Sequence, residues 1–274
     1  MGYPMAARLA AAGHALRVFD ITQAGTARFA AEHGASACAS PAEAVAGVDF
    51  VITMLPSSNE VEATLLSPEV RSAMRRGVTV IDMSSSEPMR TRVLAQALEA
   101  SGVVLVDAPV SGGVKKARDG SLSIMFGGSQ AQLDACTPLL ASMGTRIFRT
   151  GAVGSGHAMK ALNNFVSAAG LVAAVEALHI GEKFGLDPHV MTSILNASTG
   201  KNNTTENKVE QFMLSGKFDS GFGLALMEKD VGIAVKLAQA LGVAATQGEV
   251  CLKLWTDATR RSKSADHTEM YRLL

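Results

Sequence analysis

The chain is predicted to fold as an α/β domain built on a mainly parallel sheet, followed by an all-α domain joined to it by a long helix. Three observations carry this. Short β-branched runs alternate with helical patterns through the first half, as they do in βαβ units. One long, alanine-rich apolar segment, 157–184, opens the second half. Beyond it every periodic stretch reads as helix and none as strand. The glycine-rich stretch 151–156 separates the two patterns and sets the domains at 1–153 and 154–274.

Each element follows from local chemistry. The opening residues Met1-Gly2-Tyr3-Pro4-Met5-Ala6 read as a helix start, with Pro4 in the first turn, where its missing N–H costs nothing. Residues 16–19 form a strand candidate and 22–32 a helix. Further strands are expected at 49–53, at 78–82 after Gly77, at 103–106, at 122–126 and at 146–148, each bounded by turn residues. The long helix 157–184 is stopped by Gly185, with Pro188 following, a common C-terminal arrangement.

Composition excludes several function classes. The 274 residues carry 25 basic and 25 acidic side chains, for a net charge of zero. An electrostatic nucleic-acid binder needs a clustered basic surface. The one basic cluster, Arg260-Arg261-Ser262-Lys263, reads as a solvated face. Cys38, Cys136 and Cys251 are far apart and odd in number, so they form neither a disulfide framework nor a metal spacing. They suit a reducing compartment, and a cytoplasmic location is expected. The most apolar stretch, 165–175, is too short to span a bilayer, so no membrane association is expected. The N-terminus holds Pro4 and Arg8 and has no basic leader, unlike a signal peptide. Glu176, His179 and Glu182 read as a solvated helix face, because a bundle metal site needs matching sets on other helices.

Four places carry chemistry. Asp20 follows the first strand candidate. In a dinucleotide-binding βαβ unit, an acidic residue about 20 residues after the glycine loop hydrogen-bonds the adenosine ribose, and Asp20 stands near that offset from Gly2. Asp107-Ala108-Pro109-Val110-Ser111-Gly112-Gly113 ends a strand; its glycines let backbone N–H groups approach a carboxylate, and the Ser111 hydroxyl adds a donor. An ordinary Pro-Ser-Gly turn would have the same composition. In the segment 151–164, glycines open a loop and a helix follows, placing Lys160 and Asn164 four residues apart on one face. A lysine in a partly dry setting exchanges protons with a substrate hydroxyl near neutral pH; the ordinary alternative is a snorkelling side chain. His157 is placed near this site rather than in it. Met227-Glu228-Lys229-Asp230-Val231-Gly232 is, by itself, a charged helix stretch.

In combination and in this order, these motifs resemble the β-hydroxyacid dehydrogenase family, nearest its 3-hydroxyisobutyrate branch. The resemblance covers nearly the whole chain. Its carriers are 1–6 (the tail of the family's glycine-rich loop), 107–113, 151–164 and Lys229-Asp230. It implies a Rossmann-like dinucleotide-binding domain and an all-α substrate and oligomerisation domain that builds homodimers or homotetramers. It implies oxidation of a small β-hydroxy acid, or the reverse reduction. Lys160 then matches the proton-transfer lysine. Ser111, Gly112, Gly113 and Asn164 match substrate-binding positions. Gly2, Asp20, Leu55, Pro56, Asn59, Ser85 and Lys229 match cofactor-binding positions. Asp20 favours NAD over NADP, since its carboxylate repels a 2′-phosphate. The chain departs from the pattern at its start: the first strand and the first two loop glycines are absent, so the gene's product is expected to be longer by about one strand and turn, or this form is damaged. Two readings stay open at this point. One is a dehydrogenase acting on a 3-hydroxyisobutyrate-like acid, or on a polar one such as tartronate semialdehyde. The other is a truncated, non-catalytic oligomeric remnant.

Overall fold

A computed structural model describes residues 1–274. It divides into two compact units, Met1–Lys160 and Ala161–Leu274.

The first unit alternates strands and helices. In order they are α1 (Gly2–Ala11), β1 (Arg17–Val18), α2 (Gln23–His33), β2 (Ser36–Ala37), α3 (Pro41–Val45), β3 (Phe50–Thr53), α4 (Ser58–Leu65), α5 (Pro68–Ala73), β4 (Thr79–Asp82), α6 (Pro88–Glu99), β5 (Val104–Asp107), β6 (Val110–Ser111), α7 (Gly113–Asp119), β7 (Leu122–Gly127), α8 (Gln130–Leu140) and β8 (Gly144–Gly151). The helix boundaries have local causes. α2 ends at Gly34, whose φ of 67° only glycine adopts cheaply. Ser40 and Ser67 accept hydrogen bonds from backbone N–H groups of α3 and α5, each with proline in the first turn.

β3, β4 and β5 run parallel and in register, so Thr53, Asp82 and Asp107 align at their C-terminal ends. β7 pairs antiparallel with β5 and β6 and parallel with β8. β1 and β2 form a separate two-stranded parallel sheet. The expected strands are all present, and the sheet is mixed rather than wholly parallel. β2 and β6 were not expected: each is two residues long, and β6 lies inside the motif read as a turn. The core beneath the sheet includes Val78, Val80, Ile81, Leu98 and Val106, none more than 0% exposed, and each such burial contributes roughly 1.5–3 kcal/mol.

α9 (Ser155–Phe184) starts in the first unit and continues through the second, which also holds α10 (Pro188–Ala197), α11 (Asn203–Asn207), α12 (Leu224–Ala240), α13 (Thr246–Arg261) and α14 (Met270–Leu273). A π-helical segment covers Val209–Leu214. The second unit has no strand beyond one isolated bridge, Gly223 to Asp266. α9 is 30 residues long and, by length and composition, apolar enough to cross a membrane, longer than the apolar run 165–175 indicated. Its Ala168, Leu171, Val172, Val175 and Leu178 form the core of the second unit with Val231, Cys251 and Trp255. Its His179 and Glu182 are not simply solvated: the His179 Nε2 lies 2.9 Å from the Tyr271 carbonyl, and the Tyr271 hydroxyl donates to Glu182.

Candidate active site

Asp20, Leu55, Pro56 and Ser85 follow the C-terminal ends of the parallel strands β1, β3 and β4, Gly2 and Asn59 lie in the first turns of α1 and α4, and Lys160 lies in the second turn of α9. Open α/β sheets bind ligands beyond such strand ends. Asp20 follows β1 and is exposed. Its carboxylate accepts from the Thr22 N–H at 2.7 Å, and its own N–H donates to Thr26. Gly2 begins α1, and a Cβ there would stand 3.8 Å from the Met54 side chain. The start of α1 therefore lies against the Met54-Leu55-Pro56 turn that follows β3. The Leu55 N–H donates to Ser84 Oγ at 2.9 Å, which ties that turn to the Ser84-Ser85 turn after β4. Asn59 is exposed in the first turn of α4, beyond Ser57.

Ser111 ends β6, opposite Ser123. Gly112 and Gly113 follow with φ of 133° and 67°, conformations that open the turn to backbone donation. A Cβ on Gly112 would reach 2.6 Å from the Lys116 side chain, so this position has neither the conformation nor the room for another residue.

A buried polar network underlies these turns. The Asp82 carboxylate accepts from Thr53 Oγ1, Ser84 N and Ser86 Oγ at 2.8, 3.0 and 2.9 Å. The Asp107 carboxylate, fully buried, accepts from the backbone N–H groups of Gly154 and His157 at 2.6 and 2.8 Å. Burial pushes the Asp107 carboxyl above its ordinary range, opposed by His157 and by those two donors. Between the two aspartates stands the His157 ring, its Nε2 3.7 Å from Asp82 and its Nδ1 3.7 Å from Asp107. The Thr91 hydroxyl oxygen lies 3.1 Å from the Glu87 carbonyl and 2.9 Å from His157 Nδ1, so it hydrogen-bonds the ring. Lys160 follows on the same helix, 9% exposed.

In the second unit Asn164, 6% exposed, donates from Nδ2 to Asp230 at 2.5 Å and accepts from Asn163 at 3.0 Å. Lys229 Nζ lies 3.7 Å from the other Asp230 oxygen. The carboxylate of Asp230 thus orients both residues expected in this unit. Asp82, Asp107, Thr91 and Asp230 had no role assigned from the sequence. A signal existed for two of them: β4 and β5 both end an apolar run in aspartate, a costly residue to bury without donors.

The polar segment 198–205 is largely engaged in local structure. Asn202 accepts from the N–H groups of Thr204 and Thr205 and donates to the Gly170 carbonyl, and both threonines are 1% exposed.

Residues 1–151 match the family of the NAD binding domain of 6-phosphogluconate dehydrogenase, and residues 154–274 match that of the NAD-binding domain of NADP-dependent 3-hydroxyisobutyrate dehydrogenase. The chain is 37% identical over 261 residues to 2-(hydroxymethyl)glutarate dehydrogenase of Eubacterium barkeri, covering 95% of this chain and 84% of that one. It is 36% identical to the NAD-dependent L-serine dehydrogenase of Pseudomonas aeruginosa, covering 93% and 88%. Among solved structures, a Mycobacterium tuberculosis 3-hydroxyisobutyrate dehydrogenase with L-serine superposes with a TM-score of 0.92 at 33% identity, covering 99% of this chain and 94% of that one.

Proposed function

The chain belongs to the β-hydroxyacid dehydrogenase family and is an NAD-dependent oxidoreductase, and from that premise we propose that it oxidises a small, 3-hydroxyisobutyrate-like β-hydroxy acid to its semialdehyde, or runs the reverse, with Lys160 moving the proton. The observation that carries this is the placement of Lys160: a lysine only 9% exposed, on a helix whose start is tied to Asp107 at the end of β5, four residues before Ser111.

The residues present fit NAD. Asp20 offers an exposed carboxylate beyond β1 for ribose hydroxyls, and it would repel a 2′-phosphate. The start of α1 and the turns at Leu55-Pro56 and Ser85 offer further backbone and hydroxyl groups, and Asn59 is exposed in the first turn of α4. When bound, NAD supplies the hydride chemistry.

The remaining work falls to this chain. Ser111 Oγ and the N–H groups of Gly112 and Gly113 hold the substrate carboxylate. Asn164, with its amide turned by Asp230, positions the hydroxyl-bearing carbon. Lys160 Nζ takes the hydroxyl proton in oxidation and returns it in reduction. Fixed orientation supplies much of the rate.

A second reading, a more polar substrate such as L-serine or tartronate semialdehyde, is favoured by the serine dehydrogenase relative and by the L-serine in the superposed structure. An NAD-coupled assay on 3-hydroxyisobutyrate, L-serine, 2-(hydroxymethyl)glutarate and glycerate separates these. Turnover highest on 3-hydroxyisobutyrate supports the first reading, and turnover highest on serine or glycerate the second. Neither NADH binding nor turnover on any of them would return the oligomeric remnant. We further propose a homodimer or homotetramer built on the second unit, where Val166, Ile180 and Phe184 of α9 stand 68%, 71% and 84% exposed. Light scattering on Phe184→Glu beside the wild type tests it: a smaller species is expected from the variant, and a monomeric wild type would contradict it.

A further inference from the structure

Asp107 holds the start of α9 to the end of β5, just before the Ser111–Gly113 turn. It ends β5, four residues before Ser111 in the chain. Each of its two oxygens takes one backbone N–H from the start of α9, Gly154 at 2.6 Å and His157 at 2.8 Å. These are N–H groups that a helix start leaves without an intrahelical partner. Caps normally come from the residue just before the helix. Here the cap comes from a different strand, so it fixes the helix to the sheet as well as satisfying it.

The surroundings are shaped for this contact. A Cβ on Gly127, in the neighbouring strand, would overlap the Asp107 carboxylate. A Cβ on Gly156 would stand 2.9 Å from Asp107 Oδ2 and overlap the Met125 carbonyl. Two glycines in two elements thus make room for one carboxylate. Thr91 of α6 adds a second hold, its hydroxyl hydrogen-bonded to His157 Nδ1 at 2.9 Å. His157 precedes Lys160 by three residues, about one helical turn. The first turn of α9 is therefore gripped from two directions immediately before the lysine.

We propose that Asp107, backed by Thr91 through His157, is a positioning residue for the reaction: it sets where Lys160 Nζ stands relative to a carboxylate held at Ser111–Gly113. This rests on the reading of Lys160 as the proton-transfer group. Displacement of such a group by about 1 Å lowers turnover on the order of 100-fold.

The test is a double-mutant cycle on the full chain, reading kcat and KM for the hydroxy acid and NADH affinity by fluorescence. Asp107→Asn keeps the shape but turns one acceptor into a donor facing an N–H. It is expected to lower kcat on the order of 10- to 100-fold while NADH affinity is kept. In the Lys160→Ala background the same change is expected to cost nothing further. Losses that multiply in the double variant, or a wild-type kcat in Asp107→Asn, overturn the positioning role and leave the lysine reading intact. Full turnover in Lys160→Ala alone overturns both. If Asp107→Asn does not fold, Thr91→Val runs the same cycle: a kcat loss of a few fold that vanishes without Lys160 supports the proposal, and one that persists or never appears overturns it.

Discussion

His157 and His267 are 1% and 2% exposed, and each stands beside an aspartate. The two networks around them differ in what they hold. In the first unit, Asp82 and Asp107 take hydrogen bonds from Thr53 at the end of β3, the Ser84–Ser86 turn and the start of α9, the segments that carry the expected site. In the second unit, Asp266 accepts from Ser220 Oγ, the N–H groups of Gly221 and Phe222, and Thr268. His267 Nε2 lies 2.8 Å from Lys208 Nζ and its Nδ1 3.0 Å from the Phe222 carbonyl. That network ties the C-terminal segment to the loop before α12 and touches none of the expected site residues. One arrangement aims a side chain; the other closes a fold. Buried charge by itself does not mark an active site, and what its partners carry decides the matter.

The comparison is testable from both sides. Lys160→Ala should lower kcat on the order of 10²- to 10⁴-fold, the usual range for a lost acid–base group, with NADH binding kept; a loss of NADH binding in step would mean that the lysine supports the fold instead. Asp266→Ala should do the opposite. Several donors lose their acceptor, and the unfolding free energy should drop by about 3 kcal/mol with kcat of the folded protein unchanged, read by urea denaturation beside the assay. Asp20→Ala lies outside both networks and should weaken NADH binding about tenfold while narrowing the preference over NADPH; equal loss for both cofactors would contradict the ribose contact.

The smallest effect concerns pH. Burial pushes the Lys208 ammonium down to about 8, opposed by Asp266. Between that value and the unfolded pKa near 10.4 the unfolded chain binds more protons at this group, so its cost to stability falls as pH rises. The stability difference between the wild type and Lys208→Met should therefore shift by about 1 kcal/mol in favour of the wild type from pH 7 to pH 9. Cys136 and Cys251, pushed up to about 11 by burial, lower stability over the upper part of that range in both proteins and cancel in the difference. A difference independent of pH would mean that the amine is not desolvated.

The contrast also explains what the sequence made legible. Strands with three or more consecutive apolar or β-branched residues, such as those at 50–53 and 79–82, announce themselves by composition, and so do helices closed by Gly34 and Gly185. The two-residue strands β2 and β6 exist only through their pairing with β1 and β7, which no local pattern encodes. Among site residues, Lys160, Asn164 and the Ser111–Gly113 turn stand in motifs. The residues that aim them do not: Thr91 lies 66 positions from the histidine it holds, as Asn164 does from Asp230. Such pairs become visible only when the chain is folded.

The central claim is that Lys160 moves the proton, and chemical rescue tests it most directly. Lys160→Ala is assayed with NAD and the best hydroxy acid of the panel while small primary amines are added. Turnover that rises with amine concentration, and more steeply for stronger bases of equal size, is the predicted result. A variant that binds NADH normally yet gains nothing from any amine, or that never lost its turnover, would contradict it.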